Sequence, residues 1–290
     1  MGGHVVTPDL PDPRVVLAAV GECAPDTVEA VVGASDTLVW RVGLRGSPFA
    51  LRLLRAGEDS RCRKEMVAIS AAAAAGLPVG TVRATGHWMD RPALLMDWCS
   101  GQPLGHALIA RPDAARDLGA RFGEAQALLH GVVAPGGLEA GWLGVGGPDA
   151  ATIRERLLAL PGNSAALIHL DYHPLNVLTD GERITGIIDW ANAGAGDPRA
   201  DLARTLSILE LFYRRPGRAS NVIGRFEHGW REGYRAASGI AVDDALALFF
   251  AWAGLAMIQD QAGKQGWDFL RRAHRWAARW ARRGGCPLPG

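Results

Sequence analysis

Hydrophobic and polar positions alternate through the first hundred residues in short runs. The runs Val28 to Val32, Thr37 to Val42 and Phe49 to Leu54 are separated by Gly33 and by the Gly43 to Pro48 stretch. Period-two patterning broken by Gly and Pro predicts an antiparallel meander. From Glu58 to Ala75 the period lengthens, with Met66, Ile69 and Ala73 at helical steps, and Gly76 followed by Pro78 supplies a stop. Strand-like runs return at Thr81 to Trp88 and Pro92 to Met96 before the polar crossing Asp97 to Gly101. Beyond it, Arg111 to His130 has the pattern of an amphipathic helix, and the Gly- and Pro-rich Pro135 to Pro148 that of a loop. Residues 165–190 form a dense unit: apolar Ala165 to Ile168, a polar loop, Val177 to Thr179, an Asp180-Gly181 turn and Ile184 to Ile188, which together predict a hairpin. From Pro198 onward the pattern is helical, with breaks near Pro216, Gly239 and Gly266.

Composition narrows the function classes. At 290 residues the chain approaches the size at which a single core stops growing, so two lobes are expected. A formal charge of +1 gives no global reason to expect nucleic acid. Cys23, Cys62, Cys99 and Cys286 are scattered, with no Cys-x-x-Cys pair and no His at metal-ligand spacing, which excludes a zinc or dithiol reading. Met1 to Pro13 lacks the features of a signal peptide and no apolar run is long enough to span a bilayer, so a cytoplasmic protein without membrane contact is predicted.

The chemistry is concentrated in His169-Leu170-Asp171-Tyr172-His173-Pro174-Leu175-Asn176, followed thirteen residues after the Asn by Asp189 at a strand end. Phosphoryl transfer needs a carboxylate to orient a hydroxyl and take its proton, and hard oxygen ligands for magnesium; Asp171, Asn176 and Asp189 supply that set. His169 and His173 are four apart, but Pro174 precludes the continuous helix on which they would form a zinc pair. His173 is expected to order the loop.

These residues, with Ile187 to Ala203 (IIDWANAGAGDPRADLA), resemble the small-molecule kinase family that includes aminoglycoside phosphotransferases and choline kinases. The resemblance covers nearly the whole chain. It implies an α+β, bilobal protein-kinase-like fold: an N-terminal lobe of antiparallel sheet plus helix over residues 1–97, a hinge at 98–102, and a mainly helical C-terminal lobe over 103–290. It implies Asp171 as catalytic base, Asn176 and Asp189 as magnesium ligands, and His169 as a brace for the loop. Trp190 stands where protein kinases carry Phe, a departure the family shares. Asp201 is expected to order the helix that follows it, and His130 to be structural.

In the N-terminal half the resemblance assigns Gly33 to Thr37, with Ser35, to the phosphate-covering loop, although that loop is glycine-poor. Arg52 falls where the related kinases place a phosphate-pairing Lys, and Glu65 where its ion-pair partner lies; Lys64 and Lys264 are the only lysines in the chain. Met96, Asp97, Trp98 and Cys99 would offer backbone groups to the purine. The implied function is a magnesium-dependent transfer of the γ-phosphate of ATP or GTP to a hydroxyl of a small molecule, an antibiotic or a metabolite. The missing Lys motivates an alternative, a catalytically silent nucleotide-binding protein with an interaction or regulatory role.

The last helical stretch carries Arg271, Arg272, Arg275, Arg279, Arg282 and Arg283, with no acidic residue after Asp268. A solvated helix face, nucleic-acid contact and binding of an anionic substrate or partner are the readings open to it. It disfavours a polycationic acceptor, unless acids such as Glu210, Glu227, Glu232, Asp243, Asp244 and Asp260 point inward. Phe249, Phe250, Trp252, Trp276 and Trp280 are core residues or, if they face a cleft, the lining of an apolar acceptor pocket.

Overall fold

The computed structural model describes residues 11–22, 24–31, 37–138, 141–144, 146–147, 150–161, 165–214 and 218–288. The chain divides into two compact units, one of residues 1–66 and 80–98, the other of residues 67–79 and 99–290.

The first unit is built on an antiparallel sheet. Helix α1 (Pro13–Ala19) precedes strands β1 (Thr27–Ala30), β2 (Leu38–Leu44) and β3 (Ser47–Leu53); helix α2 (Asp59–Ala74) follows, then β4 (Val82–Trp88) and β5 (Arg91–Asp97). The strand order is β1-β2-β3-β5-β4. Alternation sends Trp40, Val42, Leu44, Leu51, Leu53, Ala93 and Leu95 to one face, where Val16, Leu17 and Val20 cover them. Helix α1 was not evident in the sequence pattern because it is only seven residues long; its start is fixed by Pro13 and by Asp12, which accepts a hydrogen bond from the Arg14 N–H at 2.9 Å. Helix α2 ends as expected at Gly76, whose φ of 80° lets the Leu77 N–H turn back to the Ala72 carbonyl.

The second unit is mainly helical. A short strand β6 (Gln102–Pro103) leads into α3 (Leu104–Ala110) and α4 (Ala115–His130), then α5 (Ala151–Leu158) and the strands β7 (Ala166–Ile168), β8 (Val177–Thr179), β9 (Ile184–Ile187) and β10 (Gly194–Gly196). Helices α6 (Pro198–Ile208), α7 (Arg218–Ser238), α8 (Ala247–Gln261) and α9 (Trp267–Arg283) complete it, with α6 running into a π-helical turn at Leu209–Tyr213. The expected hairpin is β8 with β9, turning at Asp180-Gly181. β7 stands apart from it and pairs antiparallel with β10, which sequence could not show because Gly-Ala-Gly has no alternation.

Helices α4 and α7 touch through their backbones: a Cβ added at Gly119 would lie 2.1 Å from the Phe226 carbonyl, and one at Gly229 would lie 1.9 Å from that of Arg116. No side chain larger than hydrogen fits either place. That close approach brings buried polar groups of both helices within reach of one another. Phe249, Phe250, Trp252, Trp276 and Trp280 are all buried, so these five aromatic residues of α8 and α9 are core, while Trp267 at the start of α9 is exposed. No described helix is long and apolar enough to cross a membrane.

Candidate active site

The loop between β7 and β8 brings Asp171 and Asn176 together. The Asn176 Nδ2–H₂ donates to the Asp171 carbonyl at 3.0 Å and to its carboxylate Oδ2 at 3.1 Å, which leaves the amide oxygen as an acceptor. Asp189 is tied to the same loop through the peptide before it. The Ile188 N–H donates to the Asn176 carbonyl at 2.9 Å, and the Ile188 carbonyl accepts from His169 Nε2–H at 3.0 Å. Asp189 itself has φ 61°, a left-handed conformation that costs a non-Gly residue energy and persists only where neighbours impose it. Its carboxylate is exposed, caps no helix, and has no ion-pair partner among the described residues.

His173 orders the loop from within. Its Nδ1 accepts from the Leu175 N–H at 3.3 Å and lies 3.1 Å from the Tyr213 hydroxyl, while Nε2 is 3.7 Å from Asp171 Oδ1. Burial pushes the imidazole pKa below its ordinary value, and the charges of Asp171 and Asp189 only partly offset that. Burial, and next the Asp171 charge, pushes the Tyr213 phenol up, so it stays protonated.

Leu170, with φ 62°, is the second strained position. Its peptide groups are held by helix α6: the Leu170 N–H donates to Asp201 Oδ1 at 2.6 Å, and its carbonyl accepts from Arg204 Nε at 3.3 Å. The other Asp201 oxygen receives His130 Nε2–H at 2.9 Å and Gln126 Nε2 at 3.4 Å. Gln126 also donates to Thr205 at 3.0 Å and accepts from the Trp230 indole, and the Thr205 hydroxyl donates to the Tyr172 carbonyl. The Tyr234 hydroxyl sits 2.8 Å from His130 Nδ1. Burial works against ionisation of Asp201, yet the His130 hydrogen bond and charge, and the Leu170 N–H, prevail and hold its carboxyl below the usual range. Asp201 therefore orders the 169–176 loop, while α6 is capped by Asp197, which accepts from the Arg199 N–H at 2.9 Å; the sequence expectation had given Asp201 the ordering of the helix. The signal was present: nearly all of α6 is buried, and Asp201, Arg204 and Thr205 at helical spacing are polar positions that such a helix can bury only if partnered.

In the first unit, Arg52 on β3 meets Glu65 on α2 in a forked pair, with Nη1 2.5 Å from Oε1 and Nη2 3.4 Å from Oε2. Met96 of β5 lies two residues from Leu94, the register partner of Arg52, with its sulfur 3.9 Å from Arg52 Nη1. Asp97 is bound by the Thr81 hydroxyl and by Arg83 Nε at 2.6 Å, and Trp98 lies under Arg41 at 5.2 Å. Burial raises the Asp97 pKa, but hydrogen bonds from Arg83 and Thr81 outweigh it and leave the carboxyl below its ordinary value. Cys99 begins the second unit, beside Gly186, where an added Cβ would come within 2.7 Å of the cysteine Cβ. Ser35 and the rest of the expected phosphate-covering loop from Gly33 to Asp36 lie outside the described residues.

Among the described residues no group of three His, Cys, Asp or Glu side chains could hold a metal. The donors that fit one are the Asn176 amide oxygen and the Asp189 carboxylate, an all-oxygen set suited to magnesium, which is usually held by one or two protein carboxylates, water and substrate phosphates.

Residues 27–249 match the sequence profile described as the phosphotransferase enzyme family. No curated protein sequence matches the chain. Among solved structures, a thermostable mutant of the aminoglycoside phosphotransferase APH(4)-Ia, in ternary complex with AMP-PNP and hygromycin B, superposes with a TM-score of 0.67 at 18% identity, covering 93% of this chain and 97% of that one. An aminoglycoside-3'-phosphotransferase of type VIII gives 0.56 at 21% identity over 79% and 93% of the two chains. An ethanolamine kinase of Plasmodium vivax gives 0.56 at 11% over 88% and 82%. At these identities the likeness establishes a shared protein-kinase-like α+β fold.

Proposed function

Because the chain belongs to the phosphotransferase enzyme family, we propose that it is a magnesium-dependent kinase that moves the γ-phosphate of ATP or GTP to a hydroxyl of a small molecule. The observation that carries this reading is the Asp171–Asn176 pair, with Asp189 directly following Ile188, whose N–H is held by Asn176 and whose carbonyl is held by His169. In this reading Asp171 accepts the proton of the attacking hydroxyl and aims it in line with the phosphorus. Asn176 fixes the carboxylate that does so through its Nδ2–H₂ and turns its amide oxygen, with Asp189, toward magnesium. The metal, when bound, would neutralise phosphate charge. Arg52, held by Glu65, pairs with phosphate oxygens as a planar fork where related kinases use an ammonium.

Little covalent work falls to the protein, so positioning and electrostatics carry the rate. The buried ties to Leu170, Tyr172 and Ile188 serve that end, since they hold the loop before substrate arrives. Support for a nucleotide and a small acceptor also comes from the APH(4)-Ia relative, whose complex contains AMP-PNP and hygromycin B.

The test is turnover by purified protein with Mg·ATP, and separately Mg·GTP, against a panel of aminoglycosides, macrolides, choline, homoserine and simple sugars, with Asp171→Asn as control. Acceptor-stimulated turnover absent from the control supports the reading. Tight nucleotide binding with no phosphate transfer to any hydroxyl compound would favour a silent nucleotide-binding protein.

A further inference from the structure

The arginine run of α9 is left unexplained by the proposed chemistry, and its surroundings are informative. Arg271 is paired with Asp268 at 2.5 Å, Arg283 with Asp244 at 3.2 Å, and Arg272 donates to the Leu211 carbonyl. Arg275, Arg279 and Arg282 are exposed and have no carboxylate partner among the described residues. Arg272, Arg275, Arg279 and Arg282 follow one another at three- and four-residue steps, so they form one stripe about 15 Å long. The same four line a groove of about 460 Å³ together with Trp276. Trp276 is buried, with its indole N–H closed off from solvent, so it contributes wall to the groove and no donor.

The carboxylates that would have made this region receptive to a cation are committed elsewhere. Glu210 pairs with Arg214 at 3.1 Å, Glu227 with Arg231 at 2.7 Å, and Glu232 with Arg116 at 2.7 Å. Asp260 holds Arg204 at 2.7 Å, Asp244 holds Arg283, and Asp243 accepts from the Ala245 N–H at 2.9 Å. Negative groups in these helices are thus partnered, while Arg275, Arg279 and Arg282 have no carboxylate partner among the described residues. The groove also adjoins the π-helical turn that reaches the catalytic loop, since Arg272 bonds Leu211 while Tyr213, two residues on, contacts His173.

We propose that the α9 groove binds a small molecule bearing several negative charges, as phosphate or carboxylate groups, through Arg272, Arg275, Arg279 and Arg282. Two sources share that chemistry: the acceptor of the kinase reaction itself, which rests on the function proposed above, or a separate anionic effector, which does not.

The experiment measures binding of pyrophosphate, citrate and a hexose monophosphate to the full-length protein at low salt by calorimetry, with the Trp276 indole ¹H–¹⁵N resonance as a local reporter, assigned by its loss in Trp276→Phe. Saturable binding that shifts this resonance, and that weakens by about tenfold for each guanidinium removed in Arg275→Gln and Arg275→Gln/Arg279→Gln, supports the site. Arg271→Gln, outside the groove, should bind as the wild type does. Phosphorylation of the hexose monophosphate, with KM raised in the double variant and kcat retained, identifies the anion as acceptor; binding without phosphorylation identifies an effector. No saturation by about 10 mM probe, where even a millimolar site would be filled, or affinities unmoved by the arginine variants, would overturn the proposal. So would binding of an oligonucleotide with none of the three small anions. The binding arm needs no turnover, so a chain that fails every kinase assay can still pass it.

Discussion

Each unit holds a deeply buried carboxylate hydrogen-bonded to a basic side chain, and the two pairs are used differently. In the second unit Asp201 and His130 have side-chain exposures of 0% and 3%, and both Asp201 oxygens are occupied. In the first unit Glu65 is equally hidden at 1%, but Arg52 keeps 14% of its side-chain surface open. The closed pair sits inside a network of Gln126, Thr205, Tyr234 and Trp230 that ends on backbone atoms of the 169–176 loop. In the open pair the carboxylate holds a guanidinium that stays partly solvated. Burying a carboxylate fully is costly unless its oxygens are hydrogen-bonded, as both oxygens of Asp201 are. Leaving one partner partly solvated costs less and preserves a group that can meet a phosphate. Bracing and binding can thus be told apart by where the hydrogen bonds of a buried carboxylate end.

The largest expected effect tests what the closed pair is for. Asp171→Asn should lower kcat by about 10²- to 10⁴-fold with no change in unfolding midpoint, because the loop and its bracing remain while the base is lost. A drop in stability comparable to that in rate would merge loop and brace into one structural unit and break the comparison. Next comes Asp201→Ala, which orphans His130, Gln126 and the Leu170 N–H together. A loss of about 3–5 kcal/mol in urea unfolding is expected, as for a broken buried pair, along with impaired turnover. A variant as stable as the parent would show that the network contributes nothing.

The open pair should respond through nucleotide binding. Arg52→Lys keeps the charge but not the fork, so about a tenfold rise in KM for nucleotide is expected with stability close to the parent. Steady-state kinetics in ATP, set beside thermal unfolding, separate the two effects; an unchanged KM would remove Arg52 from the site.

The smallest effect is in pH. The folded Asp201 pKa lies below its unfolded value, so the unfolded chain binds the extra proton. Its contribution is fully present above the unfolded pKa near 4 and fades as pH falls through the folded value. Asp201→Asn should therefore flatten the slope of unfolding free energy against pH below about 4. Equal slopes in both proteins would assign the acid sensitivity to other carboxylates, Asp97 among them.

The loop from His169 to Asn176, the strand-end Asp189, the meander of β2 and β3 and the long helices all follow from local spacing, whereas Arg52 and Glu65 were placed by the resemblance to related kinases. Alternation, helical period and turn residues act over a few positions and leave their mark in the chain itself. The pairing of β7 with β10, the backbone contact of α4 with α7 and the π-helical turn that carries Tyr213 to His173 do not, because each joins segments far apart in sequence through residues that have no pattern of their own. The same limit applied to charge. Sequence placed six arginines on the last helix and six acids among the helices before it, but only tertiary contacts decided that the acids were all engaged and that Arg275, Arg279 and Arg282 had no carboxylate partner. A side chain's type is fixed by the gene, whereas whether its charge is spent depends on which neighbours folding brings within a few ångströms.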